Sequence, residues 1–237
     1  TNKVCHQLWK IDDKKIIDKI VAEFKKINNI YIADGHHRSS SSALLCENLR
    51  KENSNYNPND NFNFFMSFLI PESQLNIINF NRLVKHTNGL SVKELIAKIE
   101  KSYYIENKGS NIYSPILNNE IAMYLKGKWY SLIARSKKYN SISESLDPST
   151  LSKNILSPIL GITDETTNES ITFLDGTVPL SDIKTKIDNE EYKLAFILKP
   201  IDINALKEVA KNNEIMPPKS TYIEPKLRSG LTIYELY

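Results

Sequence analysis

The chain has 237 residues, 41% of them hydrophobic and 25% charged, with a net charge of +3 spread over interspersed acids and bases. That balance fits one or two globular cores, and it argues against nucleic acid or a membrane surface as the partner. Two cysteines, Cys5 and Cys46, lack CxxC spacing, which excludes a disulfide framework and a zinc knuckle, and no metal site is expected. No apolar run approaches the ~18 residues that span a bilayer. No signal peptide precedes the first helix, so a cytoplasmic location is the expectation. The chain starts at Thr1 rather than methionine, so it reads as a piece of a longer protein.

In chain order, Val4–Ile11 reads as a short strand with Trp9 packed inward. Asp12 and Asp13 suit a helix start, and Ile16, Ile17, Ile20, Val21, Phe24 and Ile27 recur at helical spacing before a stop at Asn28–Asn29. Ile30–Ala33 reads as a buried strand, and Ser39–Arg50 as a helix carrying Ala43, Leu44, Leu45 and Leu49. Ser54–Asn63 is a polar loop. Phe64–Ile70 is a strongly apolar strand, and Leu75–Phe80 another that leads into Asn81-Arg82-Leu83. Ser91–Lys101 opens on a capping box, Ser91 with Glu94. Ile121–Leu125 and Trp129–Ile133 flank Lys126-Gly127-Lys128 as a hairpin. Asp147-Pro148 starts a helix with the aspartate as cap, and Gly161 closes it. Ile171–Leu174, Tyr192–Leu198 and Leu231–Leu236 read as strands, with helices over Leu180–Ile187 and Ile203–Lys211 between them. The expected class is α+β, a mixed sheet with flanking helices, with one possible subdivision near residues 140–146.

Two constellations carry chemistry. The first is Asp34-Gly35-His36-His37-Arg38, between an apolar segment and a helix. Helix N-termini expose unpaired N–H groups and the positive end of the dipole, so anions bind there. Gly35 permits a sharp turn and close approach, and Arg38 offers a planar fork for phosphate or carboxylate. Asp34 caps the helix, orients a histidine or holds a cation. Adjacent His36 and His37 point about 100° apart on a helix, which matches zinc-ligand spacing poorly. The plainer alternative is a capped helix with a surface ion pair. Ser39 follows as a hydroxyl donor or a cap.

The second constellation is Met216–Gly230. Three prolines stiffen it, Lys219, Lys226 and Arg228 supply cations, and Ser220, Thr221 and Ser229 supply hydroxyls. Glu224 is its one carboxylate, a candidate base. The plainer alternative here is a solvated basic loop. Arg82, a lone arginine after a strand, reads as a surface residue. No GxxxxGK[ST], GxGxxG or GxSxG motif occurs.

The segments Ile32–Arg38, Asn81–Lys85, Leu146–Ile162 and above all Met216–Leu231 resemble an uncharacterised bacterial family, domain-of-unknown-function family 1015. The resemblance covers nearly the whole chain and places it as the central and C-terminal part of a longer member. The core Asp34–Arg38 is similar to the phosphate-cradling turn of the ParB/sulfiredoxin superfamily, which includes free-serine kinases. That similarity implies a strand–turn–helix core with Gly35, His36, His37 and Arg38 on nucleotide phosphate and Asp34 assisting a metal or a substrate hydroxyl. It also implies ATP or ADP with Mg²⁺ as cofactors, and a small hydroxyl substrate. His36 stands where sulfiredoxin has its reactive cysteine, which argues against sulfinic-acid reduction.

Three readings follow. In the first, the chain is a small-molecule phosphotransferase. Asp34, His37 and Glu224 do the proton chemistry, and Lys219, Ser220, Thr221, Lys226, Arg228 and Ser229 add to the phosphate site. In the second, it is a non-catalytic ParB-like nucleotide-binding module. In the third, it is a structural domain.

Overall fold

The apolar segments Ile121–Leu125 and Trp129–Ile133 around Lys126-Gly127-Lys128 predict a hairpin, and the sheet is built outward from it. A computed structural model describes residues 5–136 and 138–236. Strands β1 (Asn76–Ile78), β2 (Phe80–Val84), β3 (Tyr103–Gly109), β4 (Glu120–Leu125), β5 (Lys128–Ala134), β6 (Ile171–Asp175), β7 (Leu194–Ile197) and β8 (Tyr222–Glu224) form two sheets. Six of them run in the order β3-β5-β4-β7-β2-β6, and β1 with β8 forms a separate two-stranded ribbon. Every pairing is antiparallel. At the hairpin turn Lys126 and Gly127 both take positive φ, 47° and 77°, the I′-type geometry whose twist matches the flanking strands.

Both faces of the six-stranded sheet are covered, so its central strands bury every position. Ile121, Met123, Leu125, Leu194 and Phe196 face one layer, built from α3 (Val92–Ile99) and from α5 (Asp147–Leu151) with the π-helical turn Ser152–Leu156. Ala122, Tyr124, Ala195 and Ile197 face the other, built on α6 (Leu180–Asp188) through Ile183 and Ile187. The period of two along each strand therefore sorts side chains into two cores rather than into core and solvent. A small third cluster, Leu146, Ile201 and Val209, seats α7 (Ile203–Lys211) beside α4 (Ile142–Ser145). The class is the expected α+β with flanking helices.

Local chemistry explains the helix starts. Asp13 accepts from Lys15 and Ile16 N–H and begins α1 (Lys14–Phe24). Ser91 and Glu94 form the full capping box of α3, and Asp202 caps α7. The helix α2 (His36–Glu52) begins three residues before the predicted start. At Asp147 the expectation is corrected: Leu146 is the cap position, Asp147 is the first helical residue, and no side chain caps α5. Helix α1 also ends at Phe24, short of the predicted Asn28–Asn29 stop.

The predicted strands outside the sheet are corrections as well. Among the described residues, 5–11, 30–33, 64–70 and 231–236 form no ladder, and Val4 lies outside them. Trp9, expected inward, is 79% exposed, and Ile30, Ile32, Phe64, Phe65 and Phe68 are exposed too. Apolar sequence favours extension, but a strand is complete only when a neighbour takes its N–H and C=O groups. Among the described residues no strand pairs with any of these four. Helix α1 likewise forms on its own propensity and cap while burying none of its residues.

Candidate functional site

The turn before α2 is the first candidate. Gly35 stands at the N-cap position with φ 83° and ψ 29°, and no side chain caps the helix. The first-turn N–H groups of this 17-residue helix therefore have no side-chain acceptor. The left-handed backbone suits glycine. A Cβ at Gly35 would lie 3.2 Å from Arg38 Nη2 and 3.4 Å from Arg38 Nε, so the guanidinium folds back over the turn. His36, His37 and Arg38 are exposed, and Ser39 is half-buried with its N–H on the Gly35 carbonyl at 2.9 Å.

Asp34 joins this turn to the distant proline-rich loop. Its Oδ1 accepts from Gly35 N–H at 2.9 Å, and its Oδ2 is 3.3 Å from Lys226 Nζ. Partial burial raises the Asp34 pKa, but the Gly35 hydrogen bond and Lys226 outweigh it and hold the carboxyl below its ordinary range. Lys226 lies 4.6 Å from the centre of the Tyr222 ring. Tyr222 meets Phe80 edge-on at 6.1 Å, and Lys219 Nζ is 5.7 Å from the Phe80 ring centre. Two lysines thus flank an aromatic pair, and one of them reaches the turn.

The other residues of the loop divide. Glu224 lies in the β1–β8 ribbon, where its Oε2 accepts from Asn76 Nδ2 at 3.3 Å. Ser220 is 4% exposed and spends its hydroxyl on the Pro217 carbonyl at 2.6 Å. Thr221 is half-buried, whereas Arg228 and Ser229 are exposed. Among the described residues no cluster of three or more His, Cys, Asp or Glu side chains could hold a metal ion. No helix among them is long and apolar enough to cross a membrane.

Buried charge lies elsewhere, at positions with little local signal in the sequence. Arg82, read as a surface residue, is 0% exposed. Its Nη1 donates to the Phe80 carbonyl at 2.7 Å, its Nε is 3.5 Å from Glu165 Oε2, and it stacks against Phe173. Burial pulls its pKa down to about 10 against the opposing pull of Glu165. The available signal was register: Arg82 sits between Phe80 and Val84 on one face of a strand. Glu120, 2% exposed, accepts from Tyr113 Oη at 2.5 Å, from Ile116 and Leu117 N–H at 2.8 Å each, and from Ser131. Burial opposes its charge, but these donors bring its pKa down to about 2. Burial pushes Asp147 up to about 7, with Lys199 opposing and Glu120 adding to the rise.

Against this geometry, the family described as "Protein of unknown function (DUF1015)" matches residues 1–149. The chain belongs to that family. The match corrects the expected placement, since residues 150–237, including Met216–Leu231, lie outside the matched segment. No curated protein matches the chain. Among solved structures, a variant free serine kinase in complex with AMP aligns at 13% identity, covering 65% of this chain and 55% of its own, with a TM-score of 0.39. The chain thus spans little more than half of that structure. A free serine kinase in complex with AMP aligns at 12% identity over 90% of this chain and 80% of its own, with a TM-score of 0.43. A conserved hypothetical protein from Pyrococcus furiosus aligns at 15% over 81% of this chain and 69% of its own, at 0.37. At these values the likeness assigns no function.

Proposed function

We propose that this chain binds nucleotide phosphate on the Asp34–Arg38 turn and transfers a phosphoryl group to a small hydroxyl substrate. The observation that supports it most is the uncapped start of α2 at a left-handed Gly35, with Arg38 folded over it and Lys226 delivered to Asp34. Backbone N–H groups and a guanidinium on one turn, with the Lys226 ammonium beside its aspartate, make an anion cradle in this reading.

In this reading the N–H groups of His36, His37 and Arg38 and the Arg38 fork hold the phosphates. Ser39 and, from the second loop, Thr221, Ser229 and Arg228 extend the site, while Lys219 and Lys226 offset charge developing on the transferred group. The substrate oxygen forms a bond to the terminal phosphorus, and the bond from that phosphorus to the departing nucleotide oxygen breaks. The hydroxyl proton passes to Asp34, which is ionised at neutral pH, or by way of His37. Mg²⁺ would arrive with the nucleotide, held by phosphate oxygens and Asp34, and would neutralise phosphate charge. Glu224 is bonded within the ribbon, which makes it a weaker candidate base than Asp34.

That placement of Glu224 also favours a second reading, a nucleotide-binding module without transfer. Titration with AMP, ADP and ATP, followed by amide resonances, tests binding. Arg38→Ala and Lys226→Ala should each weaken it about 10- to 100-fold, the worth of one charge-assisted hydrogen bond. Unchanged affinity in both variants overturns the phosphate site. Binding without phosphoryl transfer to any of a panel of small alcohols and amino acids favours the second reading.

A further inference from the structure

A separate cleft of ≈ 240 Å³ opens at the edge of the six-stranded sheet, where the start of β2 meets the ends of β6 and β7. Two buried carboxamides line it, Asn79 at 8% and Asn81 at 1% exposure. Their orientation follows from their partners. Leu198 N–H reaches Asn81 Oδ1 at 3.4 Å, so that oxygen is the acceptor, and Asn79 Nδ2 donates to the same atom at 2.6 Å. These bonds leave Asn81 Nδ2 as a donor and Asn79 Oδ1 as an acceptor for whatever enters.

Gly176 packs directly against the Asn79 amide. A Cβ on Gly176 would overlap Asn79 Oδ1 and come within 2.8 Å of Ile78 Cγ2, so only glycine fits against the amide. Beside Gly176 the residues Val178, Pro179 and Leu180 carry the N-terminus of α6 into the lining, and no side chain caps that helix. Lys199 closes the opposite side. Its Nζ already donates to the Ile116 carbonyl at 3.1 Å and to Asn118 Oδ1 at 2.9 Å, which leaves one of three donors. The one carboxylate of the adjoining turn, Asp175, is occupied by the N–H and hydroxyl of Thr177.

We infer that this cleft binds a small organic monocarboxylate bearing a hydroxyl or amine. Its carboxylate would meet Lys199 and the α6 N-terminus, and its second polar group would meet the Asn79 and Asn81 amides. One remaining ammonium donor and a half-charge helix end match a single negative charge better than a phosphate dianion. The volume lies below the roughly 300–1,000 Å³ of clefts that hold drug-sized ligands, which suits a small ligand. The inference rests on this cleft alone and stands whether or not the Asp34–Arg38 turn transfers phosphate.

The test is titration of the full chain with L-lactate, its neutral isostere lactamide, and inorganic phosphate, read on the side-chain amide resonances of Asn79 and Asn81. Lactate should shift both amides saturably, and lactamide should bind about tenfold more weakly, as expected for loss of one charged partner. Lys199→Gln should remove that preference, with an unchanged thermal transition showing that the fold persists, and Gly176→Ala should abolish binding by displacing the Asn79 amide. Three results overturn the inference: equal affinity for lactate and lactamide, an intact preference in Lys199→Gln, or phosphate displacing lactate with the larger effect on these amides.

Discussion

The two halves of this chain use similar apolar content to opposite effect. From β2 to β7 the apolar residues meet across two faces of a sheet, and Leu83, Trp129, Phe196 and Ile183 are fully buried. From Cys5 to Ile70, Trp9, the Ile16–Phe24 stripe, Ile32 and Phe64–Leu69 remain exposed, although helices α1 and α2 form there. Cap chemistry and 3.6-residue periodicity are sufficient to shape a helix, because its hydrogen bonds are internal. A strand has no internal bonds and acquires structure only from a neighbour. The candidate phosphate turn lies in the half with little burial and is tied to the rest through Lys226.

The contrast is sharpest at Arg82. Arg82→Ala strands Glu165 without its cation in a dry site and should cost about 3–5 kcal/mol in urea denaturation. The paired change Arg82→Met with Glu165→Leu should recover most of that loss; equal destabilisation by the pair would break the electrostatic account.

Glu120 gives the next effect. Its pKa falls from an ordinary 4.5 to about 2 on folding, so its contribution is complete above pH 4.5 and disappears as pH falls towards 2. The amount is about 3 kcal/mol, and Glu120→Gln should flatten the acid limb of the stability curve. Asp147 has the opposite sign. Its pKa rises from 3.8 to about 7, so the folded state holds the proton longer and stability declines as pH rises across that window. Asp147→Asn should match the parent near pH 4 and exceed it by about 4 kcal/mol above pH 7, measured by thermal melts across pH.

The smallest effect belongs to the exposed half. Ile20→Ala in α1 should cost less than about 1 kcal/mol, against about 2–5 for Leu83→Ala in the sheet. Amide hydrogen exchange should separate the same regions, fast over residues 5–70 and slow in β2, β4 and β7. Slow exchange at Ile30–Ala33 would show that this segment has found a strand partner.

Local sequence chemistry determined much of this protein. The Asp13 and Ser91–Glu94 caps, the hairpin at Lys126–Gly127 and the sharp turn at Gly35 each depend on interactions within a few residues, so they could be read directly. Tertiary structure decided the rest. Ile30–Ala33 and Phe64–Ile70 look like strands, but pairing is a property of two segments, and among the described residues neither is paired. Arg82 looks like a surface residue until register places it opposite Phe173 and Phe196 in a closed layer. Asp34 and Lys226 are far apart in the chain, as are Asn81 and Leu198, and only the folded chain brings each pair within reach. Short-range hydrogen bonds and dihedral preferences are written in neighbouring residues, whereas burial and long-range electrostatics depend on what the rest of the chain places alongside.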